Sequence, residues 1–146
     1  MTSTVNVFIN NEDKPTNIPD YRTIIEQSRA LRPRQVTDIN VSGVRITLDK
    51  KLDSDVSDIW VKFGWSITMG EAKTQNFVAQ HLESNKVAAV RAPRVYLAFT
   101  WGSVGFIVSE FIDGPMCGNS DIPLVTTAVQ YLISIQSPSL TPGPIS

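Results

Sequence analysis

The chain has 146 residues, 42% of them apolar and 18% charged, with a formal net charge of −1; that is enough for one domain with a buried core. The near-neutral charge, without a clustered run of Lys and Arg, argues against nucleic acid or an anionic membrane as partner, and no stretch approaches the roughly 18 apolar residues of a membrane span. Cys117 and His81 are the only residues of their types, which excludes an intramolecular disulfide and a Cys/His zinc cluster within the chain and fits a reducing, cytoplasmic setting.

The first residues lack a basic segment followed by a sustained apolar run, so no secretory signal is predicted. Residues 1–19 place Asn10, Asn11, Asp13, Pro15, Asn17 and Pro19 after the short apolar run Val5–Ile9, and read as a loosely attached, flexible leader. Asp20 is an N-cap candidate. Tyr21, Ile24, Ile25 and Leu31 follow at helical spacing, predicting an amphipathic helix over 20–32 that Pro33 ends. From residue 36 the period falls to two. Val41, Val44, Ile46 and Leu48 predict either a hairpin turning near Ser42-Gly43 or one strand bulged there. Residues 49–58 are a charged connection. Asp53, Asp55 and Asp58 lack the Gly and bidentate Glu of a calcium loop and read as solvated.

Ile59 to Phe63 then form a compact strand, with Ile59, Val61 and Phe63 on one face and Trp60 and Lys62 on the other. Thr68-Met69-Gly70-Glu71 fits the S/T-x-x-E capping box and opens a helix to about Ser84, whose apolar stripe is Phe77, Val78, His81 and Leu82. His81 is expected as a half-buried packing residue. Strands follow over 94–99 and 106–112, joined by a turn over 102–105 and closed by Asp113-Gly114-Pro115. Asn119-Ser120-Asp121 caps a last helix carrying Ile122, Val125, Val129, Leu132 and Ile133. Residues 137–146 hold three prolines and a glycine and read as a Pro-rich tail. This order predicts an α+β fold: a small antiparallel sheet with one packed helix and flanking helices. One face of the sheet should lie under the 69–84 helix, with the other left without cover.

Two polar residues cooperate by position. Lys62 lies in the middle of an apolar strand, and Glu71 opens the following helix. An ammonium on a sheet, fixed by a carboxylate on the helix packed against it, is suited to hold a polyanion such as a nucleotide's phosphates. Two blander roles compete. Lys62 could snorkel from a strand face, and Glu71 could only close the capping box.

Four ordered blocks add to this: Val61-Lys62-Phe63-Gly64; Gly70-Glu71-Ala72; Ala92-Pro93-Arg94-Val95-Tyr96-Leu97-Ala98-Phe99; and Phe106 to Gly114, which reads FIVSEFIDG. Together they resemble the N-lobe of the aminoglycoside-phosphotransferase-like branch of the protein-kinase-like fold, most closely its short fungal members, and the resemblance covers roughly residues 36–146. It implies a kinase-like N-lobe with its preceding helix over 20–114 and a post-hinge helix over 115–136. It further implies that Lys62 contacts the α- and β-phosphates of ATP with Glu71 as its partner. Ser109-Glu110-Phe111-Ile112 would be the hinge beside adenine, with Ser109 at the gatekeeper place and the Glu110 carbonyl and Ile112 N–H serving the base. The chain departs from the family in three ways. Its nearest candidate for a phosphate-covering Gly-rich loop is Val41-Ser42-Gly43-Val44. It has no H-x-D catalytic loop, since His81 is followed by Leu82-Glu83, and no D-F-G-type metal site. A complete member carries those parts, and the carboxylates for Mg²⁺, in a C-lobe that begins about where this chain ends. The expectation is therefore a truncated phosphotransferase, N-lobe only, with weak or vestigial ATP binding, no catalytic residue, no metal site of its own and no turnover alone. The alternative is a non-catalytic regulatory module that docks a protein partner through the hinge and post-hinge face. Cys117 has no neighbouring base, and Trp60, Trp65 and Trp101 are expected to cover the sheet or an exposed face, with a base-stacking platform as the alternative that their neutral surroundings disfavour.

Overall fold

The computed structural model describes residues 4–31, 43–115 and 117–136, and these described residues form five strands and three α-helices. The strands are β1 (Val5–Asn10), β2 (Gly43–Thr47), β3 (Asp58–Gly64), β4 (Val95–Trp101) and β5 (Val104–Glu110). The helices are α1 (Tyr21–Leu31), α2 (Met69–Ser84) and α3 (Ile122–Ser134), the last preceded by a 3-10 turn over Asn119–Asp121. All strands pair antiparallel in one sheet of order β1-β4-β5-β3-β2. β3 and β4 therefore run parallel, with β5 between them and α2 connecting them. The predicted α+β class and antiparallel sheet are present. The helix stop at Pro33, the turn at Ser42 and the tail over 137–146 lie outside the described residues.

Alternation along the strands sends side chains to two faces, and both faces are covered. On one, Ile24 and Ile25 of α1 join Val44, Ile46, Ile59, Val61, Leu97, Phe99, Phe106 and Val108 in the larger core. The cover on this face corrects the expectation that it would be bare. Asp20 caps α1, its Oδ1 accepting from the Thr23 N–H at 2.9 Å, and fixes where the helix begins. On the other face α2 sits over Ile9, Ile67, Val95, Ala98 and Ile107. Its buried residues are Ala72, Ala79 and Leu82: of the expected stripe Leu82 is buried and His81 half-buried, whereas Phe77 and Val78 give way to the two alanines. Alanines let the helix approach the sheet closely, whereas the larger side chains stay half-buried on its flank, where His81 packs 5.9 Å from the Phe77 ring.

The reading of residues 1–19 as a loose leader is corrected as well. β1 adds an edge strand to β4, with a bulge between Val7 and Ile9, a device common at sheet edges. Beyond it, Asn11 donates to the Asn76 side chain at 3.1 Å and to the Val95 carbonyl at 2.5 Å. Asn17 donates to the Val56 carbonyl at 2.7 Å and accepts from the Val56 N–H at 3.2 Å. The segment is stitched to the sheet at both ends.

Nor is Asp55 a solvated residue. Only 6% of it is exposed, and its carboxylate accepts from the Lys51 N–H, the Leu52 N–H and the Thr16 hydroxyl, each at 3.0 Å. The Leu52 amide, then the Lys51 amide and Thr16, hold its carboxyl below the ordinary value. Asp58 is lowered too, chiefly by Arg45, which contacts it at 3.0 and 3.2 Å. A depressed folded value means that the anionic forms stabilise the fold fully above the unfolded value near pH 4. That contribution is lost as the pH falls through the lower folded values. Asp55→Asn should therefore lower the melting temperature at neutral pH by several degrees and flatten its fall below about pH 4. Circular dichroism melts across that range check this, and acid limbs that run parallel in the two proteins would contradict it.

Candidate nucleotide cleft

Because α2 packs over β4 and β1, it leaves uncovered the part of the same sheet face formed by β3. There lies an open cleft of about 400 Å³, within the size range of small-molecule sites. Its floor is Trp60, Lys62, Ile107 and Ser109. β3 and β5 pair in a register that sets Trp60 opposite Ser109 and Lys62 opposite Ile107. Gln75 of α2 and Pro93 form one wall, and Glu110, Phe111 and Ile112 form the rim.

Four of the five residues singled out from the sequence thus line one cleft: Lys62, Ser109, Glu110 and Ile112. The fifth, Glu71, reaches it through Lys62, whose ammonium donates to the Glu71 Oε1. Glu71 also shows how the capping alternative divides. Its backbone N–H donates to the Thr68 Oγ at 3.1 Å, so Thr68 caps the helix and Glu71's carboxylate is left to engage Lys62. Both side chains of the pair are about a third exposed, at 34% and 35%. A pair so wetted contributes about 1 kcal/mol or less to stability, so its weight lies in presenting a fixed ammonium at the cleft floor.

Ser109 is buried, at 3% exposure, and its small side chain leaves the cleft open beside the end of β5. The Glu110 side chain turns outward: its carboxylate accepts from Arg91 and from the Arg94 N–H, and its backbone N–H donates to the Arg94 carbonyl at 2.9 Å. Glu110 is held by β4's approach strand, and only its backbone carbonyl remains for a ligand. Ile112 stands at the rim with 42% exposure; among the described residues its N–H has no hydrogen-bond partner.

Of the other lining residues, Phe111 falls inside the hinge segment read from the sequence, whereas the sequence reading does not place Trp60, Gln75 and Pro93 in the cleft. For Trp60 the signal was present, since it shares the strand face of Lys62 two residues away. Gln75 and Pro93 enter only through the packing of α2 against the start of β4, where the Gln75 amide approaches the Pro93 carbonyl at 3.5 Å. Among the described residues no group of three or more His, Cys, Asp and Glu could hold a metal ion, and no helix is long and apolar enough to cross a membrane. Compared with family models, curated proteins and solved structures, the chain matches none.

Proposed function

We propose that this domain is a kinase-like N-lobe of the aminoglycoside-phosphotransferase-like type that holds ATP in the Lys62 cleft, in the cytoplasm, without itself transferring the phosphoryl group. The observation that carries the reading is the convergence of the Lys62–Glu71 pair and the Ser109–Ile112 segment on one cleft. An ammonium at one end and a free backbone donor at the rim suit a ligand with phosphates at one end and a hydrogen-bonding ring at the other. Within these residues there is no H-x-D base and no acidic metal motif. Positioning and charge stabilisation supply most of the rate of phosphoryl transfer, so these residues alone bind nucleotide and do not turn it over. Mg²⁺ would arrive with the nucleotide or with a C-lobe. One-sided contact keeps the affinity weak, because a full site encloses most of its ligand.

Lys62→Met tests this. It removes a charge-assisted hydrogen bond worth about 1.5–3 kcal/mol, so ATP should bind about tenfold to 150-fold more weakly by calorimetric titration. Because the ion pair contributes little to stability, the variant should melt within a few degrees of wild type. ATP binding that is unchanged in Lys62→Met would contradict the reading.

One observation favours a second role beside it. α3 buries none of its residues, and Ile122, Leu124, Val125, Val129, Leu132 and Ile133 are all exposed, Ile133 at 78%. It carries no charged side chain. Its apolar residues form one broad face, with Thr126, Thr127, Gln130 and Ser134 on the other; the apolar face of an amphipathic helix is ordinarily packed against another surface, which supports the regulatory-module alternative, in which α3 docks an apolar groove of a partner protein. Under that reading Leu124→Glu/Ile133→Glu should raise solubility and suppress concentration-dependent association in light scattering. A wild-type protein that stays strictly monomeric at high concentration counts against it.

A further inference from the structure

The Glu110 side chain is tied more firmly than a place at an open rim requires. Its carboxylate accepts from the Arg91 guanidinium and from the Arg94 N–H at 3.3 Å, while the Glu110 N–H donates to the Arg94 carbonyl at 2.9 Å. Both backbone groups of Arg94 are therefore engaged by one residue at the end of β5. The Glu110 side chain is 19% exposed against 65% for Arg91, so the carboxylate is the fixed member of that pair and Arg91 reaches in to it. Arg94 is braced in turn: its guanidinium pairs with Glu83 of α2, and Gln75 of the same helix approaches the neighbouring Pro93 carbonyl. Glu110 thus hangs the end of β5 on a segment that is itself held against α2.

The two ends of the cleft then share one frame. α2 carries Glu71, which holds Lys62 at one end, and braces the residue 91–94 segment, which holds Glu110 at the other. The ladder to β3 stops at Glu110, so no strand hydrogen bond fixes Phe111 or Ile112. The last residue that is fixed sets the direction in which the rim leaves the sheet. Polar groups already in place when a ligand arrives lose less on ordering. Resting on the nucleotide reading above, we propose that the Glu110 carboxylate, held by Arg91 and Arg94, is a positioning group. It pre-sets the backbone groups of the rim for a base, and so separates ATP from a ligand that offers phosphates alone.

Side chains that act on a site through such a network typically alter its affinity by about twofold to 30-fold. Calorimetric titrations of the wild type, Glu110→Ala, Glu110→Gln and Arg91→Ala with ATP and with inorganic tripolyphosphate test the proposal. The wild type should bind ATP more tightly than tripolyphosphate. Glu110→Ala should weaken ATP by a factor within that range and leave tripolyphosphate, which needs only Lys62, unchanged. Glu110→Gln keeps an acceptor for the Arg94 N–H and should recover part of the loss, and Arg91→Ala should fall between Glu110→Ala and the wild type. A side chain that served stability alone would, when removed, cost both ligands together. ATP binding in Glu110→Ala as tight as in the wild type, an equal loss of both ligands, or a wild type that binds the two alike overturns the positioning role while the Lys62 reading stands. If the wild type binds neither ligand, both are overturned. Should Glu110→Ala fail to fold, Glu110→Gln and Arg91→Ala decide, and unchanged ATP affinity in both overturns the proposal.

Discussion

Phe99→Ala should destabilise the protein by about 3–5 kcal/mol, the usual cost of emptying a fully buried phenylalanine site. Phe99 has no exposed surface and stacks on Phe106 with ring centroids 4.8 Å apart and planes within 7°. Phe106 stacks in turn on Phe63 at 5.4 Å, and Tyr21 of α1 packs on Phe99 at 6.2 Å. The register explains the row: Phe63 faces Phe106 across β3 and β5, and Phe99 faces Phe106 across β4 and β5. One aromatic ladder therefore ties three strands and α1 together, and Phe99 is the link to the helix. Against a typical stability of about 5–15 kcal/mol the loss is a large fraction of the total. The urea midpoint should fall accordingly, whereas Trp65→Ala, at a residue 78% exposed, should change it by no more than about 0.5 kcal/mol. A small shift for Phe99→Ala would mean that the α1 face is not a packed core.

Gly105→Ala is the second large effect, and a subtler one. Gly105 lies in β5, paired with Gly64 on one side and Thr100 on the other. An added Cβ would overlap the backbone carbonyl of Ile67. A carbonyl cannot rotate away as a flexible side chain can, so the 65–68 turn must shift, and with it the start of α2. Overpacking of this kind costs about 1–3 kcal/mol and occasionally more, and backbone contact puts this site at the upper end. Displacing the start of α2 also moves Glu71 from Lys62. The variant should therefore lose stability in urea titration and weaken ATP binding beyond what its folded fraction explains. Wild-type stability for Gly105→Ala would show that the turn yields freely.

The central sheet was legible because period-two alternation is strong in β3, β4 and β5, and the site was legible because Lys62 interrupts an apolar strand. β1 was missed because an edge strand buries little: Val7 and Phe8 are about half exposed, and the turn-formers that follow masked the strand signal. α2 was found, and Leu82 on its buried face with it, but hydrophobicity points to Phe77 and Val78 where close packing on a sheet selects Ala72 and Ala79. Asp55 hid its role for a related reason. Its partners, the amides of residues 51 and 52 and Thr16, come together only once the residue-16 segment is folded against β3's approach. Gln75 and Pro93 joined the cleft through the packing of α2 against the start of β4, a relation between elements that no local pattern carries.

Backbone amide chemical shifts during an ATP titration test the nucleotide reading most directly, because they localise a weak ligand without requiring turnover. The largest changes should fall on Lys62, Ser109, Glu110 and Ile112, saturate together, and disappear in Lys62→Met. Changes scattered over the surface, confined to another face of the sheet, or unaltered in Lys62→Met would contradict it.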